Sequence, residues 1–202
     1  MTRAVLLFFV AAAFAQEPAW QSMFDGQSLK GWKETPFTGK GVVKVQDGCI
    51  VIGKGYMSGV TYTGTLPKAN YEVRMEAQRA EGHDFFAGIT FPVNDSFITW
   101  INGGWGGSMV GLSSLDGNDA SENETSTSRN FEAGRWYSLW FAVTPDRIRT
   151  WIDEEPVIDV QIGNHEVGLR PGETDLSKPF GIATYNTTSK VRKIEWRPLP
   201  KQ

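Results

Sequence analysis

Apolar and polar residues alternate with a period of two through much of the chain. The pattern is cleanest at 71–78, where Tyr71, Val73, Met75 and Ala77 fall on one face and Glu72, Arg74, Glu76 and Gln78 on the other. That spacing predicts a half-buried strand. Residues 135–144 repeat it, with Tyr137, Leu139, Phe141 and Val143 inward and Trp136, Ser138 and Trp140 opposite. Residues 147–152 set Ile148 and Ile152 against Arg149 and Trp151. Shorter runs at 42–46, 49–53, 59–64, 85–91, 96–102, 109–114, 157–162, 180–185 and 190–197 read as further strands. Turn chemistry separates them: Asp47-Gly48, Pro67-Lys68, Pro92-Val93-Asn94-Asp95, Thr144-Pro145-Asp146 and Asp153-Glu154-Glu155-Pro156. No stretch of convincing length carries the helical period. About a dozen short strands at this spacing predict an all-β sandwich or jelly roll, in one domain without linkers or repeats. The run Gly103-Gly104-Trp105-Gly106-Gly107 lacks phosphate-loop spacing and reads as a wide turn.

The N-terminus departs from this pattern. Met1-Thr2-Arg3 is a short basic segment, residues 4–13 are apolar, and Ala13-Phe14-Ala15 fits a small-x-small cleavage rule. These features predict a signal peptide over 1–15 and a domain over 16–202 in a secreted or periplasmic protein. The apolar run is shorter than the roughly 20 residues a spanning helix needs. Export permits disulfides, but Cys49 stands alone, so no internal disulfide can form; its strand-like setting predicts a buried structural thiol.

Composition narrows the function. Twenty Lys and Arg against 23 Asp and Glu give a net charge of −3, with no basic field to hold nucleic acid. Eight Trp and 22 Gly fit a sugar-binding β-protein, and fit a plain sandwich equally.

The segment Phe24-Asp25-Gly26-Gln27-Ser28-Leu29-Lys30-Gly31-Trp32 resembles the opening signature of the 3-keto-disaccharide hydrolase family. Further blocks follow in that family's order: the Asp47-Gly48 turn, Tyr71-Glu72-Val73-Arg74-Met75-Glu76, Gly88-Ile89-Thr90-Phe91, Gly134-Arg135-Trp136-Tyr137, Trp151-Ile152-Asp153 and Val191-Arg192-Lys193-Ile194-Glu195-Trp196. The resemblance spans residues 20–199. It implies a concanavalin A-like jelly-roll sandwich of two antiparallel sheets in a bacterial exported protein. It also implies hydrolase or lyase chemistry on a 3-keto-glycoside in the concave face. At 85–92 and 109–114 the chain departs from the pattern of the family's better-known members. A non-catalytic, lectin-like sugar-binding module therefore stands as the alternative, with an adhesion domain as a third.

Cleavage beside a ketone needs a base near C2, an acid for the leaving oxygen, and positive charge or a divalent metal ion at the developing oxyanion. His83 is the leading base, because histidine is the side chain suited to proton transfer near neutrality and the chain has only His83 and His165. Glu72, Arg74 and Glu76 share one strand face and supply an acid–base pair and a charge stabiliser, or else a solvated ion network. Asp84 adjoins the base as a substrate ligand. The acidic stretch 116–125 offers Glu122 and Glu124, with Arg129 as counter-ion, or is a solvated loop. Trp100, Trp105, Trp140 and Trp151, together with Trp136, are candidate stacking platforms; Trp32 and Trp196 read as core.

Overall fold

The alternation resolves into fifteen strands among the described residues, 17–200 of the computed structural model. In chain order they are β1 (Gln21–Ser22), β2 (Trp32–Glu34), β3 (Val43–Gln46), β4 (Cys49–Ile52), β5 (Met57–Tyr62), β6 (Tyr71–Gly82), β7 (Ala87–Val93) and β8 (Ser96–Gly104). There follow β9 (Met109–Ser113), β10 (Thr127–Ser128), β11 (Trp136–Val143), β12 (Arg147–Ile152), β13 (Glu155–Gln161), β14 (Gly181–Tyr185) and β15 (Thr187–Pro198). One 3-10 turn, Glu173–Ser177, precedes β14. The leader expected over 1–15 lies outside the described residues. No helix among them is long and apolar enough to cross a membrane.

Two antiparallel sheets form. The first runs β13-β12-β11-β6-β15-β4-β3, with β1 added to β15; the second runs β10-β9-β8-β7-β14-β5-β2. Turn chemistry explains the local pairings. Gln46 pairs with Cys49, leaving Asp47 and Gly48 as a two-residue turn with φ of 53° and 73°. Positive φ at both positions is the hairpin geometry that Asp-Gly favours.

Inward positions of both sheets fill the space between them. On β6, Tyr71, Val73, Met75 and Ala77 are buried as the period of two requires. Phe141 of β11 stacks on Phe91 of β7 with ring centroids 4.1 Å apart, and Trp100 of β8 meets Phe141 edge-on at 6.4 Å. The Tyr71 hydroxyl donates to the Pro92 carbonyl at 2.7 Å, lacing one sheet to the other. Trp32 is buried and donates its indole N–H to the Met23 carbonyl at 2.7 Å, so the opening motif serves the core. Cys49 is a free, buried thiol on β4, and burial pushes its pKa up.

Candidate functional site

With most large side chains committed to the interior, the outer face of the second sheet carries many small ones, with Ile101 and Met57 among the exceptions. Gly88 and Thr90 of β7, Thr99 of β8, Ser113 of β9 and Ala183 of β14 floor a cleft of about 610 Å³. Aromatic side chains wall it. Phe85 lies nearly parallel to Tyr185 with centroids 6.0 Å apart, and Tyr185 meets Tyr56 edge-on at 5.1 Å. A Cβ on Gly88 would fall 3.1 Å from the Phe85 ring, so glycine there makes room for this wall. Trp105 stands in the β8–β9 turn with φ of 49° and 46% exposure. Nearly half of the residue is open to a ligand.

Polar groups enter at both ends. Asp84 accepts from the Phe85 N–H at 2.8 Å and the Gly106 N–H at 3.2 Å, which ties it to the Trp105 turn. At the other end Asp119 accepts from Ser113 Oγ at 2.5 Å and pairs with Arg170 at 2.7 Å. Glu173 accepts from the backbone N–H and hydroxyl of Thr38. Burial, reinforced by Tyr56 and the Asp84 charge, raises the Tyr185 phenol above its ordinary value. Tyr185 is therefore a neutral hydrogen-bond donor at neutral pH.

Only two of the side chains singled out from the sequence, Asp84 and Trp105, line this cleft. Glu72, Arg74 and Glu76 point out of the first sheet, on the opposite side of the sandwich. The alternation puts them on an outer face, but β6 belongs to the sheet without the cleft. Each is consumed in an ion pair. Glu72, only 2% exposed, bonds Arg197 and accepts from the Trp140 indole at 2.8 Å. Arg74 pairs with Glu195 at 2.7 Å. Glu76 pairs with Arg192 and Lys193, each at 2.6 Å. Burial pushes the Glu76 carboxyl up, but hydrogen bonds from Lys193 and Arg192 outweigh it and hold the carboxyl below its ordinary value.

His83 is exposed in the connection after β6. Six residues of strand separate Glu76 from Gly82, about 20 Å at the usual rise per residue, so His83 and the Glu72/Glu76 pair are not one site. Trp100 is fully buried in the core, because its even position on β8 points inward with Ile98, and it offers no platform. Trp140 and Trp151 stack on each other, centroids 4.3 Å apart, on the outer face of the first sheet. Glu122 is exposed, and Glu124 contacts His165 at 3.1 Å. Arg129 turns to Glu155 and Asp153 instead of serving Glu122 or Glu124.

Tyr56, Phe85, Tyr185, Asp119, Arg170 and Glu173 are the cleft residues missed from the sequence. One signal was readable: Gly181, Ala183 and Tyr185 form an outward row of small residues ending in an aromatic. Among the described residues no group of three or more His, Cys, Asp and Glu side chains is placed to hold a metal ion. The cleft carboxylates are each engaged separately, so this donor set does not fit a divalent metal.

A family model described as a 3-keto-alpha-glucoside-1,2-lyase-like domain matches residues 19–197. The chain belongs to this family. Among solved structures the lyase-like chain is similar to apo Crh5 transglycosylase, with 12% identity, 93% of this chain and 86% of that one covered, and a TM-score of 0.60. SCLam, a non-specific endo-β-1,3(4)-glucanase from family GH16, matches at 12% identity over 90% and 94%, with a TM-score of 0.56. The carbohydrate-binding module CBM66 from Bacillus subtilis matches at 12% identity over 86% and 98%, with a TM-score of 0.53. These likenesses establish the shared jelly-roll sandwich, the concanavalin A-like fold expected from the sequence. No curated protein sequence matches the chain.

Proposed function

We propose that the cleft of this lyase-like domain takes a neutral glycoside, and that the chain cleaves a 3-keto-glycoside there. Family membership supports a carbohydrate-active protein. The observation that carries the reading is a small-residue floor between aromatic walls, with Asp84 and a neutral Tyr185 at the same end. A flat floor lets a sugar ring settle against the sheet, and aromatic faces suit its C–H surfaces.

A ketone at C3 acidifies the C2 proton. The Asp84 carboxylate takes that proton, and the electron pair moves onto the C3 oxygen as an enolate, to which Tyr185 donates a hydrogen bond. Re-forming the ketone makes the C1–C2 double bond and breaks the C1–O bond. The proton held by Asp84 passes to the leaving oxygen, which restores the carboxylate. Water adding across the new double bond completes the hydrolytic outcome. Export by a leader over 1–15 belongs to the same proposal, and N-terminal sequencing of the secreted protein tests it.

The test is turnover of a 3-keto-glucoside, with and without EDTA and added divalent metal. Wild-type protein is expected to turn it over, Asp84→Asn to lose about 10²–10⁴-fold, and His83→Ala and Glu76→Gln to stay near wild type. A sugar-binding module is the second reading, favoured by the hydrogen bonds already occupying every cleft carboxylate. Sugar binding without turnover under any metal condition would overturn the enzyme and leave that module.

A further inference from the structure

We propose that Arg79 is the positioning residue of the cleft: its buried guanidinium clamps the 103–107 turn so that Trp105 and Asp84 face the ligand. Arg79 continues the inward row Tyr71, Val73, Met75, Ala77 on β6, an interior position where a charge is expensive. It is 7% exposed, and among the described residues no carboxylate lies within ion-pair distance of it. Its hydrogen bonds go to backbone carbonyls, Gly107 O at 3.2 Å through Nη1 and Phe131 O at 2.5 Å through Nη2. The guanidinium also sits 5.9 Å from the Phe86 ring centroid, capping the Phe86–Phe131 pair. Burial lowers its pKa, with Tyr137 and Asp84 opposing, and arginine stays protonated throughout the working range.

The Trp105 turn is thus gripped from two directions. Asp84 holds the Gly106 N–H from the cleft side, and Arg79 holds the Gly107 carbonyl from the interior. Gly107 has φ of 118°, and a Cβ there would fall 2.7 Å from the His83 carbonyl and 2.8 Å from Arg79 Nη1. Only glycine permits the β6–β7 and β8–β9 connections to approach so closely. A methionine would fill the same interior space with less desolvation cost. A two-pronged cation instead serves to fix two carbonyls on separate connections at once.

The proposal rests on the cleft reading only for its sugar readout; turn order is measured without ligand. In the full chain, two-dimensional NMR follows the Trp105 indole signal, assigned by its loss in Trp105→Phe, and the exchange of the Gly106 amide. Arg79→Met is expected to shift the Trp105 signal and to speed Gly106 exchange about tenfold, while the Met23 amide, bonded to Ile194 across β1 and β15, keeps its wild-type rate. Binding of methyl 3-keto-α-glucoside weakens about tenfold in parallel. Arg79→Lys, which keeps the charge but not the planar fork, recovers part of both effects and stands in should Arg79→Met not fold. An unchanged Trp105 signal and Gly106 rate would overturn the proposal. So would equal acceleration at Gly106 and Met23, which marks global loosening. Turn loosening in a protein whose wild type binds no sugar supports the role of Arg79 and overturns the cleft reading instead.

Discussion

Trp105 and Trp100 are five residues apart, yet they occupy opposite sides of one sheet. Trp100 is fully buried against Phe141, whereas Trp105 sits on the β8–β9 turn at 46% exposure. Trp105→Ala is therefore predicted to weaken sugar binding about tenfold while moving stability within about 0.5 kcal/mol. Trp100→Ala is predicted to lose about 3–5 kcal/mol of stability. Isothermal titration and urea denaturation read the two effects separately. His165 poses a different residue-scale question. Its ring bonds Asp116 at 2.7 Å and Glu124 at 3.1 Å, linking the acidic loop to the segment before Val167. The hydrogen bond with Asp116 raises the His165 pKa above about 6.5 and lowers that of Asp116 below about 3.8. A raised histidine contributes stability that is fully present below its unfolded value and is lost as pH rises through the folded one. A lowered carboxyl contributes above its unfolded value and loses it as pH falls. The clamp is thus strongest between about pH 4 and pH 6.5. Exchange of the Glu166 amide, which donates to Asp116 at 2.7 Å, is predicted to gain protection on going from pH 8 to pH 6 in wild type and not in His165→Gln.

At the scale of elements, β6 and β15 carry the charges that looked catalytic. Glu72 is enclosed by Arg197 and the Trp140 indole, and β15 bulges opposite the Arg74–Glu76 stretch, bringing both Arg192 and Lys193 to Glu76. Glu72→Gln is predicted to cost about 2 kcal/mol, because Arg197 loses its buried partner, and to leave sugar binding unchanged. A Glu72→Gln protein that folds normally yet fails to bind would return this face to the functional site. The same strands show how far the chain's pattern could be followed. Period two identified the inward and outward sides of β6, β11 and β12 residue by residue, since it depends only on neighbours along one strand. Which outer face holds the cleft depends on β14 inserting between β7 and β5, a pairing nearly a hundred residues apart in the chain. Gly88, Thr90, Thr99, Ser113 and Ala183 look unremarkable singly and become a floor only through that pairing. Trp105 was readable because it stands among glycines on a short connection, where an aromatic side chain has no core to enter, whereas Asp84 was reached only as the neighbour of His83.

Across the whole molecule, function on one sheet leans on a core shared with the other. Phe141 of the first sheet touches Phe91 and Trp100 of the second and meets Tyr71 at 6.2 Å, so it couples the layers at their centre. If the sandwich is one cooperative unit, loss of this contact must weaken both sheets together. Phe141→Ala is predicted to cost about 3–5 kcal/mol, a large share of the 5–15 kcal/mol typical of a domain. Intrinsic fluorescence, which has Trp reporters in both sheets, and far-ultraviolet circular dichroism should shift to the same lower urea midpoint with unchanged slope. Two transitions, or fluorescence changing before the backbone signal, would mean that the cleft-bearing sheet can loosen alone. The cleft would then be a locally adaptable surface. A single transition instead makes its floor as rigid as the core beneath it, with the Trp105 turn held in place beside it by Asp84 and Arg79.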